Sequence, residues 1–175
     1  MIESLWSQIA ADWRAHGRDW TRPGFRAVAV HRFGVWRMAI RPKPLRAPFS
    51  VLYGLLFRHC RNRYGIELPY TVRLGRGVII EHQGAIVVHG ACEIGDGCII
   101  RQGCTLGLRR LDDLTAAPIL DADVQLGAGS VVLGRVRLGK GARVGANAVV
   151  LNDVPAGTTV WGIPARPGRS SGSGS

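Results

Sequence analysis

The chain has 175 residues, 46% of them hydrophobic, which is enough for one main domain plus an appendage and too apolar for a disordered protein. Its formal net charge of +11 is uneven, because residues 1–66 hold twelve Lys and Arg against three acidic residues. The pattern shows no recognition helix, RNP-like aromatic pair or zinc finger, so nucleic acid is set aside in favour of a small molecule with several phosphates or an anionic membrane face.

No apolar run reaches the ~18 residues of a membrane span and no signal-peptide pattern is visible, so the expectation is a cytoplasmic protein, at most peripheral to the inner membrane face. Cys60, Cys92, Cys98 and Cys104 form no CxxC pair, and the last three stand six apart. They read as buried thiols in a reducing compartment rather than as disulfides or metal ligands.

Taken in chain order, Ile2, Leu5, Trp6, Ile9, Ala10 and Trp13 recur at helical spacing and predict a helix over residues 2–16, closed by Gly17. A second helix is predicted from Gly24 to about Ile40, ended by Arg41-Pro42-Lys43-Pro44, and a third from about Pro48 to Arg63. Residues 1–66 therefore read as an α-helical segment. Its interleaved Arg and Trp fit two readings: aromatic surface packed on the next domain or a neighbouring subunit, or peripheral contact with a membrane.

From Leu74 an aliphatic residue returns every sixth position, at Leu74, Ile80 and Ile86, then, after a slip of two, at Ile94, Ile100 and Leu106, and again from Leu120 through Leu126, Val132, Leu138 and Val144 to Val150. Small or β-branched residues follow four positions later, and Gly often comes directly after the aliphatic one. A period of six is the mark of a parallel β-helix, whose short strands stack turn upon turn. The fold class predicted is mainly β, with residues 67–167 forming the coil, residues 107–119 extruded as a loop, and residues 168–175 a Gly/Ser-rich flexible tail.

Chemistry is sought where residues break the repeat. Glu81 and His82 stand side by side near the start of the coil, and Glu67 lies fifteen residues earlier, almost one turn back. A carboxylate holding one imidazole nitrogen leaves the other free to take a proton from a hydroxyl; the alternative is a satisfied structural histidine. A zinc hydratase on this scaffold would need a third convergent His, and only His82 and His89 lie in the coil, so no metal is expected.

Asp12-Trp13, His31-Arg32-Phe33-Gly34, Gly65-Ile66-Glu67-Leu68-Pro69, Glu81-His82 with Gly84-Ala85-Ile86-Val87-Val88, and Gly162-Ile163-Pro164-Ala165-Arg166 together resemble the serine acetyltransferase type of hexapeptide-repeat acyltransferases, particularly short forms met in polysaccharide gene clusters. The resemblance implies a left-handed coil, a homotrimer with active sites between coils, and acetyl transfer from acetyl-CoA to a hydroxyl. It makes His82 the catalytic base and Glu67 its orienting carboxylate, and it puts Asp19 and Glu81 where the family holds the amino group of serine. Glu81 departs from the usual Asp.

A second departure is Ala116-Ala117-Pro118, where the serine enzymes carry Arg-His-Pro. Alanine cannot grip a carboxylate, though Arg109 and Arg110 of the same loop are candidates to replace the lost Arg. The expectation is therefore an O-acetyltransferase whose acceptor is a sugar or polysaccharide hydroxyl, with serine acetylation as one alternative and a catalytically silent scaffold as another. Coenzyme candidates are Gly127, Ala128 and Gly129 with Gly145, Ala146 and Asn147, whose small size admits close approach, and Lys140, Arg143 and Arg166 for the phosphates.

Overall fold

The computed structural model describes residues 5–167. The tail at 168–175, and the start of the first predicted helix, lie outside the described residues. Helix α1 spans Leu5–Ala15 and ends where Gly17, at φ 73°, takes the left-handed conformation. Helix α2 spans Pro23–Arg37, opened by a proline at its first position, where no amide donor is needed. Helix α3 spans Lys43–His59 and runs on into a π-helical turn over Cys60–Tyr64. It starts five residues earlier than predicted, because Pro42 and Pro44 stand at its N-terminal cap and first turn rather than breaking it.

The coil follows in turns of three strands. The first turn holds β1 (Ile66–Glu67), β2 (Arg73–Leu74) and β3 (Ile79–Ile80); the second β4 (Ile86–Val88), β5 (Glu93–Ile94) and β6 (Ile99–Ile100). The third holds β7 (Thr105–Gly107), β8 (Ile119–Leu120) and β9 (Gln125–Leu126); the fourth β10 (Val131–Leu133), β11 (Arg137–Leu138) and β12 (Arg143–Val144). The coil closes with β13 (Val149–Val150) and β14 (Thr159–Trp161), on which β15 (Arg166–Pro167) lies antiparallel. Three parallel sheets result: β1-β4-β7-β10-β13, then β2-β5-β8-β11, and β3-β6-β9-β12-β14 with β15 at its edge.

Hexads account for this directly. Ile80, Ile94, Ile100, Leu106, Leu120, Leu126, Val132, Leu138, Val144 and Val150 all point inward and are buried, as are the small residues Val124, Ser130, Ala142 and Ala148. The coil begins earlier than the repeat suggested, since Ile66 already pairs with Ile86 in parallel register. The two-residue slip is strand β4, whose Ile86 and Val88 are both buried. Val88 passes the regular register on to Leu106.

Helices and coil are clamped by buried polar groups. Arg32 donates to Asp12 at 2.8 Å and to the carbonyls of Leu74 (2.8 Å) and Gly75 (2.5 Å), so one guanidinium ties α1, α2 and β2 together. His31 donates from Nε2 to the Val72 carbonyl at 2.9 Å. Arg37 lies between the rings of Tyr53 and Tyr70, 4.5 Å from each. Asp12, His31 and Arg32, which carry part of the family resemblance, are thus residues that dock the helices. All four cysteines are free and buried, and burial pushes Cys60 up to about 11, Cys92 to about 12 and Cys98 to about 11.

Candidate active site

Strand β3 carries the residues of interest, and two contacts from the helical segment fix it. His16, fully buried, donates from Nδ1 to the Asp12 carbonyl at 2.8 Å, which leaves Nε2 to accept the N–H of Ile80 at 3.2 Å. Burial lowers the pKa of His16, consistent with the neutral ring this pairing needs. Gly24 opens α2 directly against the Ile80 carbonyl, so close that a Cβ there would collide with it.

Two residues on, His82 is exposed and has a left-handed backbone at φ 66°, an uncommon conformation for a residue with a side chain. At most corners of the coil the left-handed residue falls three after the inward aliphatic, at Gly77, Gly97, Gly103, Asp123, Gly129, Gly141 and Asn147, while at Gly134, as at His82, it falls two after. His82 falls two after Ile80, and Ala85 is a second left-handed residue of the same corner, at φ 51°. Strain of this kind gathers at functional sites, where surrounding contacts hold it.

His82 opens on a cleft of about 460 Å³ lined by Arg22, Pro23, Gly24, Ile80, Glu81 and itself. Glu81 pairs with Arg101 at 2.9 Å. Arg22 lies 3.6 Å from Asp19, whose carboxyl is held below its usual range chiefly by the hydroxyl and amide of Thr21. The cleft therefore gathers an imidazole, a guanidinium and one carboxylate, with Asp19 beside the guanidinium. Sequence reasoning found His82, Glu81 and Asp19 but missed Arg22, which belongs to no repeat; its one signal is its place just before the Pro23-Gly24 helix start.

Glu67 stands on β1, one strand below β4. The first turn takes twenty residues, so Glu67 lies level with Val87, and among the described residues no hydrogen bond or ion pair joins it to His82. It remains in the neighbourhood, two residues beyond Gly65, which packs on Gly84 and Ala85. His16 and His31 are spent on backbone groups, and no group of three His, Cys, Asp or Glu among the described residues could hold a metal.

The corner carrying His82 recurs in every turn, and the copies stack into one edge. Gly103 N–H bonds the Gly84 carbonyl at 2.9 Å, Gly129 N–H the Gln102 carbonyl at 2.9 Å, and Asn147 N–H the Ala128 carbonyl at 2.8 Å. Gly127, Ala128, Gly129, Gly145 and Ala146 thus lie on the same edge as His82, further along the coil. Their small side chains fit the close approach of an extended coenzyme arm. Arg143 and Arg166 are exposed on the adjoining sheet, whereas Lys140 belongs to the corner between β11 and β12, a different edge.

The loop leaves from the third edge, between β7 and β8. Arg109 and Arg110 therefore do not reach the cleft of their own chain: Arg110 pairs with Asp112 at 2.9 Å and Arg109 packs beside Gly134. Ala117 and Pro118, in place of a carboxylate grip, are buried where the chain re-enters the coil.

A fold of stacked hexads with such a cleft defines a transferase of the hexapeptide class, and residues 118–152 match the family model described as bacterial transferase hexapeptide (six repeats). Over 144 residues the chain is 38% identical to the serine acetyltransferase of Synechococcus elongatus, covering 82% of this chain and 56% of that protein. The apoenzyme structure of soybean serine acetyltransferase superposes with a TM-score of 0.79 at 31% identity, covering 94% of this chain and 69% of that one. The Brucella abortus strain S19 serine acetyltransferase in complex with coenzyme A gives 0.79 at 29% identity, covering 93% and 67%.

The chain belongs to the hexapeptide-repeat transferase family, with the left-handed parallel β-helix of its serine acetyltransferase homologues. It spans roughly half to three fifths of the length of the curated relatives it matches, 56%, 47% and 61% for three of them. The expectation of a sugar or polysaccharide acceptor is overturned, because these relatives are serine acetyltransferases. Nor do these relatives support an origin in polysaccharide gene clusters.

Proposed function

We propose that the chain transfers the acetyl group of acetyl-CoA to the hydroxyl of L-serine. The observation that carries this reading is the set of charges around His82 in one cleft: Arg22, Glu81 and, behind Arg22, Asp19. Serine presents a carboxylate, an ammonium and a hydroxyl. A guanidinium suits the first through paired charge-assisted bonds, carboxylates suit the second, and an imidazole takes the proton of the third.

In this reading the serine oxygen attacks the thioester carbonyl carbon as His82 removes its proton. A tetrahedral intermediate forms, its oxyanion stabilised by backbone N–H groups. The carbon–sulfur bond then breaks, and the proton held by His82 passes to the departing thiolate, giving free CoA. Glu67 is the carboxylate proposed to favour the charged imidazole during the step. Coenzyme A lies along the edge of Gly127, Ala128, Gly129, Gly145 and Ala146, with Arg143 and Arg166 as phosphate partners.

A homotrimer completes the site. Loop and His82 occupy different edges of one coil, so a loop bearing Arg109 and Arg110 would meet His82 only across two subunits. Mass spectrometry of the products of acetyl-CoA with L-serine, beside a panel of sugars, tests the reading: O-acetylserine is the expected product, and acetylation of a sugar without serine turnover would overturn it.

A further inference from the structure

Helix α3 turns an apolar face to solvent. Leu45, Phe49, Leu52 and Leu56 follow at intervals of four, three and four, Leu55 widens the stripe, and Leu45, Leu52 and Leu55 are 63%, 46% and 53% exposed. Tyr53 is the one buried residue of this helix. At its N-terminal end Trp36 of α2 continues the surface through an edge contact with Phe49. A contiguous apolar arc of this extent marks a contact surface.

The charge around it narrows what the contact is. From Trp20 to Ile66 the sequence has ten Lys and Arg and no Asp or Glu. Arg41, Lys43 and Arg46 flank one end of the helix, and Arg58, Arg61 and Arg63 the other. Two copies meeting through this face would set cation against cation with no acid in the segment to offset them. An anionic lipid surface complements both features, since it takes apolar side chains below the headgroups and Arg at the phosphates. Among the described residues no helix is long and apolar enough to cross a membrane, so the contact lies in the interface.

We infer that α3 docks the protein on an anionic lipid bilayer, lying in the plane of the interface with Leu45, Leu52 and Leu55 inserted. The docked chain keeps its cleft free, because His82 sits on the coil and takes no part in the helix face. This inference does not depend on the acceptor of the transferase.

Co-sedimentation of the whole chain with vesicles of phosphatidylglycerol and phosphatidylcholine, and with phosphatidylcholine alone, tests it. Binding to the anionic vesicles is expected to be at least ~10-fold tighter and to weaken in high salt. A Leu52→Glu/Leu55→Glu variant, both changes at exposed positions, is expected to lose it ~10-fold or more, and an Arg58→Glu/Arg61→Glu variant to lose the anionic preference. Equal binding to both vesicles, or to neither, would overturn the inference. So would a drop in assembly size by light scattering in the leucine variant with vesicle binding unchanged, which would make a second copy of the chain the occupant.

Discussion

The N–H of Ile80 donates to Nε2 of His16 at 3.2 Å, which ties a buried ring of the helical segment to the strand that carries His82. The ring can do this only while neutral, with Nδ1–H given to the Asp12 carbonyl at 2.8 Å. His16→Ala would leave the Ile80 N–H buried without a partner and open a void between α1 and the coil. The expected cost is roughly 1–3 kcal/mol of stability, read as a lowered urea midpoint, with turnover falling further than stability explains because His82 loses its backbone anchor.

Arg22 is expected to act on the acceptor and not on the coenzyme. Arg22→Ala should raise the KM for L-serine about 10- to 100-fold, the range expected when a charged hydrogen-bond partner is lost, while the KM for acetyl-CoA stays within about twofold. Arg22→Lys should recover part of the loss, because a lysine keeps the charge and gives up the paired geometry. Steady-state kinetics with each substrate varied in turn separates the two effects.

Asp12 and Arg32 form an ion pair whose side chains are 1% and 8% exposed. Removing Asp12 leaves a buried guanidinium without its counter-charge, although the Leu74 and Gly75 carbonyls still accept from it. Asp12→Ala is expected to cost about 3–5 kcal/mol, and Asp12→Ala with Arg32→Met less than Asp12→Ala alone. Denaturant unfolding of the two variants checks the order.

Stability should fall with acid in a window set by the buried histidines. Burial holds His31 down to about 4 from 6.5, and His16 is also lowered. The unfolded chain therefore takes up protons that the folded chain refuses between pH 6.5 and about 4. Their contribution is complete above pH 6.5 and is lost as the pH drops through that window, on the order of 3 kcal/mol for His31. Asp19 and Asp113, both lowered and exposed, titrate below it. Urea midpoints measured across the window should decline, and a flat profile would contradict the assignment.

The coil was legible in the sequence because each turn repeats one demand: an aliphatic residue inward, a small one beside it, and a left-handed corner after it. What escaped lay outside the repeat. Strand β1 begins eight residues before Leu74, off the six-residue period, and Pro42 and Pro44 look like helix breakers until they are seen at a helix start, where a missing N–H costs nothing. The first turn holds two residues more than three hexads, so Glu67 pairs with Val87.

The sugar acceptor was expected for a related reason. Ala116 and Ala117 record the loss of one arginine in the loop, but periodicity says nothing about a residue on the helical segment that folds back over β3. The docking of the helical segment on β3, through Gly24 and His16 against Ile80, puts Arg22 and His82 in one cleft.

Removal of the L-serine proton by His82 in this cleft is read from L-serine-dependent release of CoA from acetyl-CoA by the purified chain and by its His82→Ala variant. The expected result is serine-dependent release that falls about 10²- to 10⁴-fold in a variant whose circular dichroism is unchanged. Absence of serine-dependent release in the parent chain, or its retention in the folded variant, would rule out His82 as the base for serine.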